Sequence, residues 1–214
     1  MNKEFSYEKT LKTSPENSFV NIQSYFLITS KQITKALFNT SITPHQVILL
    51  GMLFGVASAF LIVQNNIILV LLGALLLFYK NVLDKVDGSL ARAKGMAVRR
   101  GRFYDSISDF IVSLSLFTAM GIKLHSIYHT DAIYLICFVT LITSMLQCSY
   151  FIYYQVSFIK FSGVNTINRL VETITAEDRK TQDRFTLLLQ RLFLYIYGWQ
   201  DLLFDILNRF LLTS

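Results

Sequence analysis

The 214 residues suit a single domain, and 53% of them are hydrophobic while only 16% are charged, against about 25% charged in an average soluble domain. A net charge of +6 on so apolar a chain argues against a nucleic-acid partner and for anionic lipid headgroups. Cys137 and Cys148 both fall inside an apolar run, so they read as small buried hydrophobes rather than a disulfide or metal pair.

Residues 1–40 form a polar, mixed-charge leader with no stretch long enough to span a membrane and no cleavable signal peptide. Within it, 19–38 mixes Val20, Ile22, Phe26, Ile33 and Leu37 with Lys31 and Lys35. That pattern suits either an amphipathic helix lying at the membrane interface or one packed on the rest of the protein. Residues 41–214 then form the transmembrane domain. Pro44 opens the first apolar run, 47–63, as proline does at a first helical turn. Asn65 and Asn66 make a tight turn before the second run, 67–83. The polar stretch 84–102 precedes a third run, 103–122, and a fourth, 132–156. Each fits the roughly 20 residues that a span requires, and at that length in lipid only a helix satisfies its own backbone.

A second polar segment, 160–184, leads to a last helix, 185–212. It carries Arg191, Asp201, Asp205 and Arg209 near one helical stripe. Charges at mid-membrane cost at least about 2.5 kcal/mol each, so the stripe should face the bundle or a wet cavity, or else the helix lies partly at the interface. The expected fold is therefore all-α, a polytopic bundle of five to six spans.

Orientation follows from the basic residues. Lys and Arg number five before position 41, seven across 80–102 and five across 160–184. The intervening turns hold none and one, Lys123. That asymmetry places the amino terminus and both polar segments in the cytoplasm.

The chemistry-bearing segment is 84–109, DKVDGSLARAKGMAVRRGRFYDSISD. Asp84, Asp87, Gly88, Ala91 and Arg92 share one helical face, and Gly101, Asp105 and Asp109 share another. A hairpin of the second and third spans brings the two faces together, so four carboxylates converge where membrane meets cytoplasm. Two carboxylates about 4 Å apart repel by roughly 4 kcal/mol at an effective dielectric near 20. Four demand cations, and Lys85 and Lys94 do not share the carboxylate face. Oxygen-only donors suit Mg²⁺ or Mn²⁺. Two such ions about 3.5–4 Å apart clamp a phosphoryl centre. Gly88 and Ala91 leave room for a bulky ligand, the Arg92 fork suits phosphate, and Gly101 allows close approach.

These residues match the signature D-x2-D-G-x2-A-R-x8-G-x3-D-x3-D at all eight positions, and the chain thereby resembles the CDP-alcohol phosphatidyltransferase family. The resemblance covers roughly 40–160 and includes Ile42, Thr43 and Pro44 before the first span. It implies a six-span bundle, usually a homodimer, with its site open to the cytoplasm. It implies that Asp84, Asp87, Asp105 and Asp109 bind two divalent ions, with Asp109 also the general base on the acceptor hydroxyl. Gly88, Ala91, Arg92 and Gly101 would contact the cytidine diphosphate portion of the donor. The implied reaction moves a phosphatidyl-type group from a CDP-linked lipid, such as CDP-diacylglycerol, to an alcohol that could itself be a phosphorylated polyol, and CMP leaves. The same motif also serves the reverse assignment, in which a CDP-linked small alcohol donates its headgroup to a lipid.

His45 stands where family members often have Asn, and Ile48 where Thr is frequent. Five spans are evident, so either the last helix bends and re-enters or the chain ends before a sixth. Arg169, Arg184 and Arg191 read either as ligands for an acceptor phosphate or as ordinary positive-inside charge. A divalent-cation transporter is the rival class, but a transport path needs polar groups through the membrane depth. Here the carboxylates gather at one end.

Overall fold

A computed structural model describes residues 27–161 and 169–213. The leader's first part, including Val20, Ile22 and Phe26, lies outside the described residues. The described chain is helical and divides into two compact units, one of residues up to Ala97 with Ser108–Cys137, the other of Val98–Ile107 with Phe138–Ser214.

In the first unit, α1 (Leu27–Phe38) and α2 (Pro44–Val63) both pack on α3 (Ile67–Ala93). Thr43 starts α2 with a capping box. Its side chain accepts from the Gln46 amide while Gln46 accepts from the Thr43 amide at 2.8 Å, and Pro44 fills the first turn. Asn66 caps α3 by accepting from the Ile68 amide. The core is Val47, Val82, Val86 and Leu90, against which Ile33, Leu37 and Leu83 pack. So α1 turns Ile33 and Leu37 inward and leaves Lys31 and Lys35 exposed.

The end of α3 matters for the site. Gly95 adopts φ +68°, which glycine reaches without steric cost. Its amide donates to the Arg92 carbonyl and that of Met96 to the Ala91 carbonyl, a Schellman closure. The helix therefore runs through Asp84–Arg92 and stops just past the arginine, as a shared helical face for these residues requires. α4 (Arg99–Tyr128) follows. Near its other end Lys123 donates to the Val63 and Gln64 carbonyls, a cation on the last carbonyls of α2.

Among the described residues four helices, α2, α3, α4 and α5 (Ala132–Phe161), are long and apolar enough to cross a membrane. Only 11% to 33% of their apolar windows is buried inside the protein. Leu53, Phe60, Ile68, Leu71, Leu135 and Phe138 all face outward, and so much exposed apolar surface requires lipid. Cys137 is buried but Cys148 is exposed on this outer surface, and the two form no disulfide.

The second unit joins the first turns of α4 to the rest of α5, to α6 (Ala176–Thr181), and to a last helix spanning 184–213. That helix is not uniform. A π turn, Leu194–Gly198, separates α7 (Arg184–Phe193) from α8 (Trp199–Thr213). The wider turn offsets the side-chain register and interrupts the charged stripe expected along this helix. Arg191 is exposed, whereas Asp205 accepts from the Tyr153 hydroxyl at 3.3 Å and pairs with Arg209 at 2.9 Å. Ser149 donates to Gln200 at 2.7 Å in a buried bond between α5 and α8, which holds apolar helices together. The unit's core is Phe103, Leu189 and Phe193, with Tyr104, Ile107 and Tyr197 around it.

Candidate active site

The signature residues occupy the last three turns of α3 and the first three of α4. Asp84 is half-buried on α3, and Lys80, one turn earlier, donates to it at 3.3 Å. The same ammonium bonds Asp109 of α4. α4 is unbroken through this region, so Asp105 rides one turn ahead of Asp109 on the same rod. Carboxylate oxygens of Asp84, Asp105 and Asp109 all lie within 4.8 Å of one another.

Asp87 is not one of these three. It is buried one turn further along α3, where its charge acts on the Arg92 guanidinium. Gly88 lies under that guanidinium, since a Cβ there would meet Arg92 Nη1 at 3.3 Å. The glycine therefore gives the arginine room to fold back by one turn. A Cβ on Gly101 would meet nothing within 4 Å, so open space adjoins it. Ala91 is half-buried between Asp87 and the helix end. The Lys94 ammonium caps the carbonyls of Thr40 and Ile42 at 2.8 and 2.7 Å and is spent on that loop.

Lys80 is the site residue that the sequence reading passed over. Its signal was present, because it stands four residues before Asp84, the spacing at which helix side chains meet. The donor set is all oxygen, which suits a hard divalent cation. That Lys80 sits on two of these carboxylates shows that the place attracts positive charge. An ammonium and a divalent ion compete for the same oxygens, so Lys80→Met is expected to lower the Mn²⁺ concentration for half-saturation by about tenfold or more. Titration of the purified protein with Mn²⁺, followed by electron paramagnetic resonance, measures it. Weaker binding in the variant would refute competition.

Of the three arginines considered for an acceptor phosphate, Arg169 is committed elsewhere. It donates to Asp178 at 2.7 and 3.0 Å and to the Thr173 carbonyl at 2.7 Å. Hydrogen bonds from Arg169, above all, hold the Asp178 carboxyl well below the usual carboxylate range. Arg184 and Arg191 are exposed.

The family model for CDP-alcohol phosphatidyltransferase matches residues 41–206. The chain belongs to the CDP-alcohol phosphatidyltransferase family. An archaetidylinositol phosphate synthase of Pyrococcus horikoshii is 30% identical over 119 residues, covering 55% of this chain and 60% of the relative. An uncharacterized protein of Aquifex aeolicus is 35% identical over 108 residues, covering 49% and 51%. The chain thus spans between half and three fifths of the length of these relatives. Family and helices together make this an integral membrane protein.

Proposed function

We propose that this protein synthesises a phospholipid by moving a phosphatidyl-type group from a CDP-linked lipid, such as CDP-diacylglycerol, to an alcohol acceptor. The observation that carries the reading is the gathering of Asp84, Asp105 and Asp109 within 4.8 Å inside a complete family signature. Asp84, Asp87, Asp105 and Asp109 would hold two divalent ions, Mg²⁺ or Mn²⁺. When bound, such ions neutralise the pyrophosphate and stabilise the departing CMP.

The chain's own groups account for the remaining work. Arg92, folded over Gly88, presents a fork to a donor phosphate. Gly88, Ala91 and Gly101 keep side-chain bulk away from the cytidine diphosphate. Asp109 takes the proton of the acceptor hydroxyl as its oxygen bonds to phosphorus. The bond from phosphorus to the CMP oxygen breaks, and CMP leaves with that electron pair.

The name of the Pyrococcus relative supports a phosphorylated polyol as the acceptor. Arg184 and Arg191, both exposed, remain available for its phosphate. The lysine and arginine asymmetry supports a site facing the cytoplasm, and membership of the family supports a homodimer. The test is an acceptor screen on purified protein with CDP-diacylglycerol and Mg²⁺, reading CMP and lipid products by mass. Metal-dependent CMP release with one acceptor is expected. A protein that conducts divalent ions across vesicles and releases no CMP would point to the transporter class.

A further inference from the structure

We propose that Glu172 and Asp178 are positioning residues that set the rotation of α4 and thereby the placement of its metal-binding carboxylates. The inference rests on the metal-dependent reading above. Its starting point is a local conflict in the sequence. α4 begins with Arg99, Arg100 and Arg102 and has no acidic residue in its first turn. The amino-terminal end of a helix carries partial positive charge, so three cations there oppose the helix that bears Asp105 and Asp109. Negative charge must come from elsewhere in the chain.

It comes from the segment after α5. The Glu172 side chain is 0% exposed and accepts from Arg99, from Arg102 at 3.1 Å and from Gln190 at 3.0 Å. Asp178, with a side chain 4% exposed, accepts from Arg99 at 2.5 Å as well as from Arg169, and from Gln190 at 3.2 Å. One guanidinium, Arg99, thus bridges both acids. Asp178 is itself fixed by the α6 cap, where it accepts from the Thr175 amide at 3.0 Å.

The grip is one-sided. Arg99, Arg102, Phe103 and Ser106 follow at three- and four-residue spacings, so they line one side of α4. Phe103 is fully buried with its ring 5.3 Å from that of Phe193, and the Tyr197 hydroxyl donates to the Ser106 carbonyl at 3.1 Å. Gly101 and Asp105 point away from that side, while Asp109, seven residues after Arg102, lies on the flank between them. Two ion-pair anchors and an aromatic wedge therefore fix the angular setting of the helix that carries Asp105 and Asp109. Mg²⁺ tolerates little departure from octahedral geometry, so a small rotation of α4 degrades the site. Buried ion pairs of this sort are weak evidence for stability and better suited to fixing one arrangement.

The test uses the full chain in detergent with Mn²⁺ as probe. Arg102→Gln/Glu172→Gln removes opposite charges together and keeps a neutral hydrogen-bonding pair, so it avoids an orphaned buried charge. Glu172→Asp keeps the charge and shortens its reach. The double variant is expected to weaken Mn²⁺ binding about tenfold or more, with wild-type thermal unfolding, and Glu172→Asp to recover most of the affinity. Wild-type Mn²⁺ affinity in the folded double variant would overturn the proposal. So would a loss of affinity matched by an equal loss of thermal stability in both variants. Wild-type protein that binds Mn²⁺ yet releases no CMP would refute the transfer reading and leave this test standing.

Discussion

Asp109→Asn is expected to lower turnover by about 10²- to 10⁴-fold, the range that a positioned general base contributes, while CDP-lipid binding persists. Asparagine keeps the shape and one ligating oxygen of the side chain but cannot take a proton from the acceptor hydroxyl. Asp109 is well placed for both roles. It sits on the same face as Asp105 and is held by the Lys80 ammonium, which also holds Asp84. Initial-rate CMP release, with CDP-diacylglycerol binding measured in parallel, separates the two effects. Turnover at the wild-type rate would remove Asp109 from the base role. Loss of donor binding along with turnover would mean that its main service is to the metal.

Gly55→Ala is expected to destabilise the protein by about 1–3 kcal/mol, the cost of overpacking a well-filled site. A Cβ at position 55 would stand 2.5 and 2.6 Å from the two methyl carbons of Val112, closer than atoms can pack. Val112 is 3% exposed and follows Asp109 by three residues on α4. Any shift that relieves the clash therefore moves the carboxylate as well, and activity should fall with stability. Small residues commonly set such close approaches between membrane helices. Gly55→Ala/Val112→Ala is expected to recover most of the loss, because the second change removes the two methyls that collide. Thermal unfolding in detergent and CMP release on both variants decide the matter. A Gly55→Ala protein as stable as wild type would show that the two helices do not approach so closely.

Local physics made much of this protein legible before any coordinates. Four apolar runs of span length dictated helices, because a chain in lipid has no other way to satisfy its backbone. Pro44 marked the start of the first span. The spacing of Asp84 with Asp87 and of Asp105 with Asp109 put each pair on one helical face, and the eight-position signature left little room for chance. The sequence drew all four carboxylates together, whereas the group within 4.8 Å is Asp84, Asp105 and Asp109, with Asp87 turned toward Arg92. Other features were invisible in the same residues. The grip of Glu172 and Asp178 on Arg99 and Arg102 joins positions some 70 to 79 apart, and no periodicity reaches that far. The π turn, Leu194–Gly198, interrupts a stripe that simple helical counting had drawn through Arg191, Asp201, Asp205 and Arg209. Arg169 reads in the sequence as either a phosphate ligand or ordinary positive-inside charge, and its bonds to Asp178 are set by the fold. Patterning within one helix determines which face a residue occupies. Only the packing of separate helices decides which charges meet, because ion pairing depends on distance in space and not on distance along the chain.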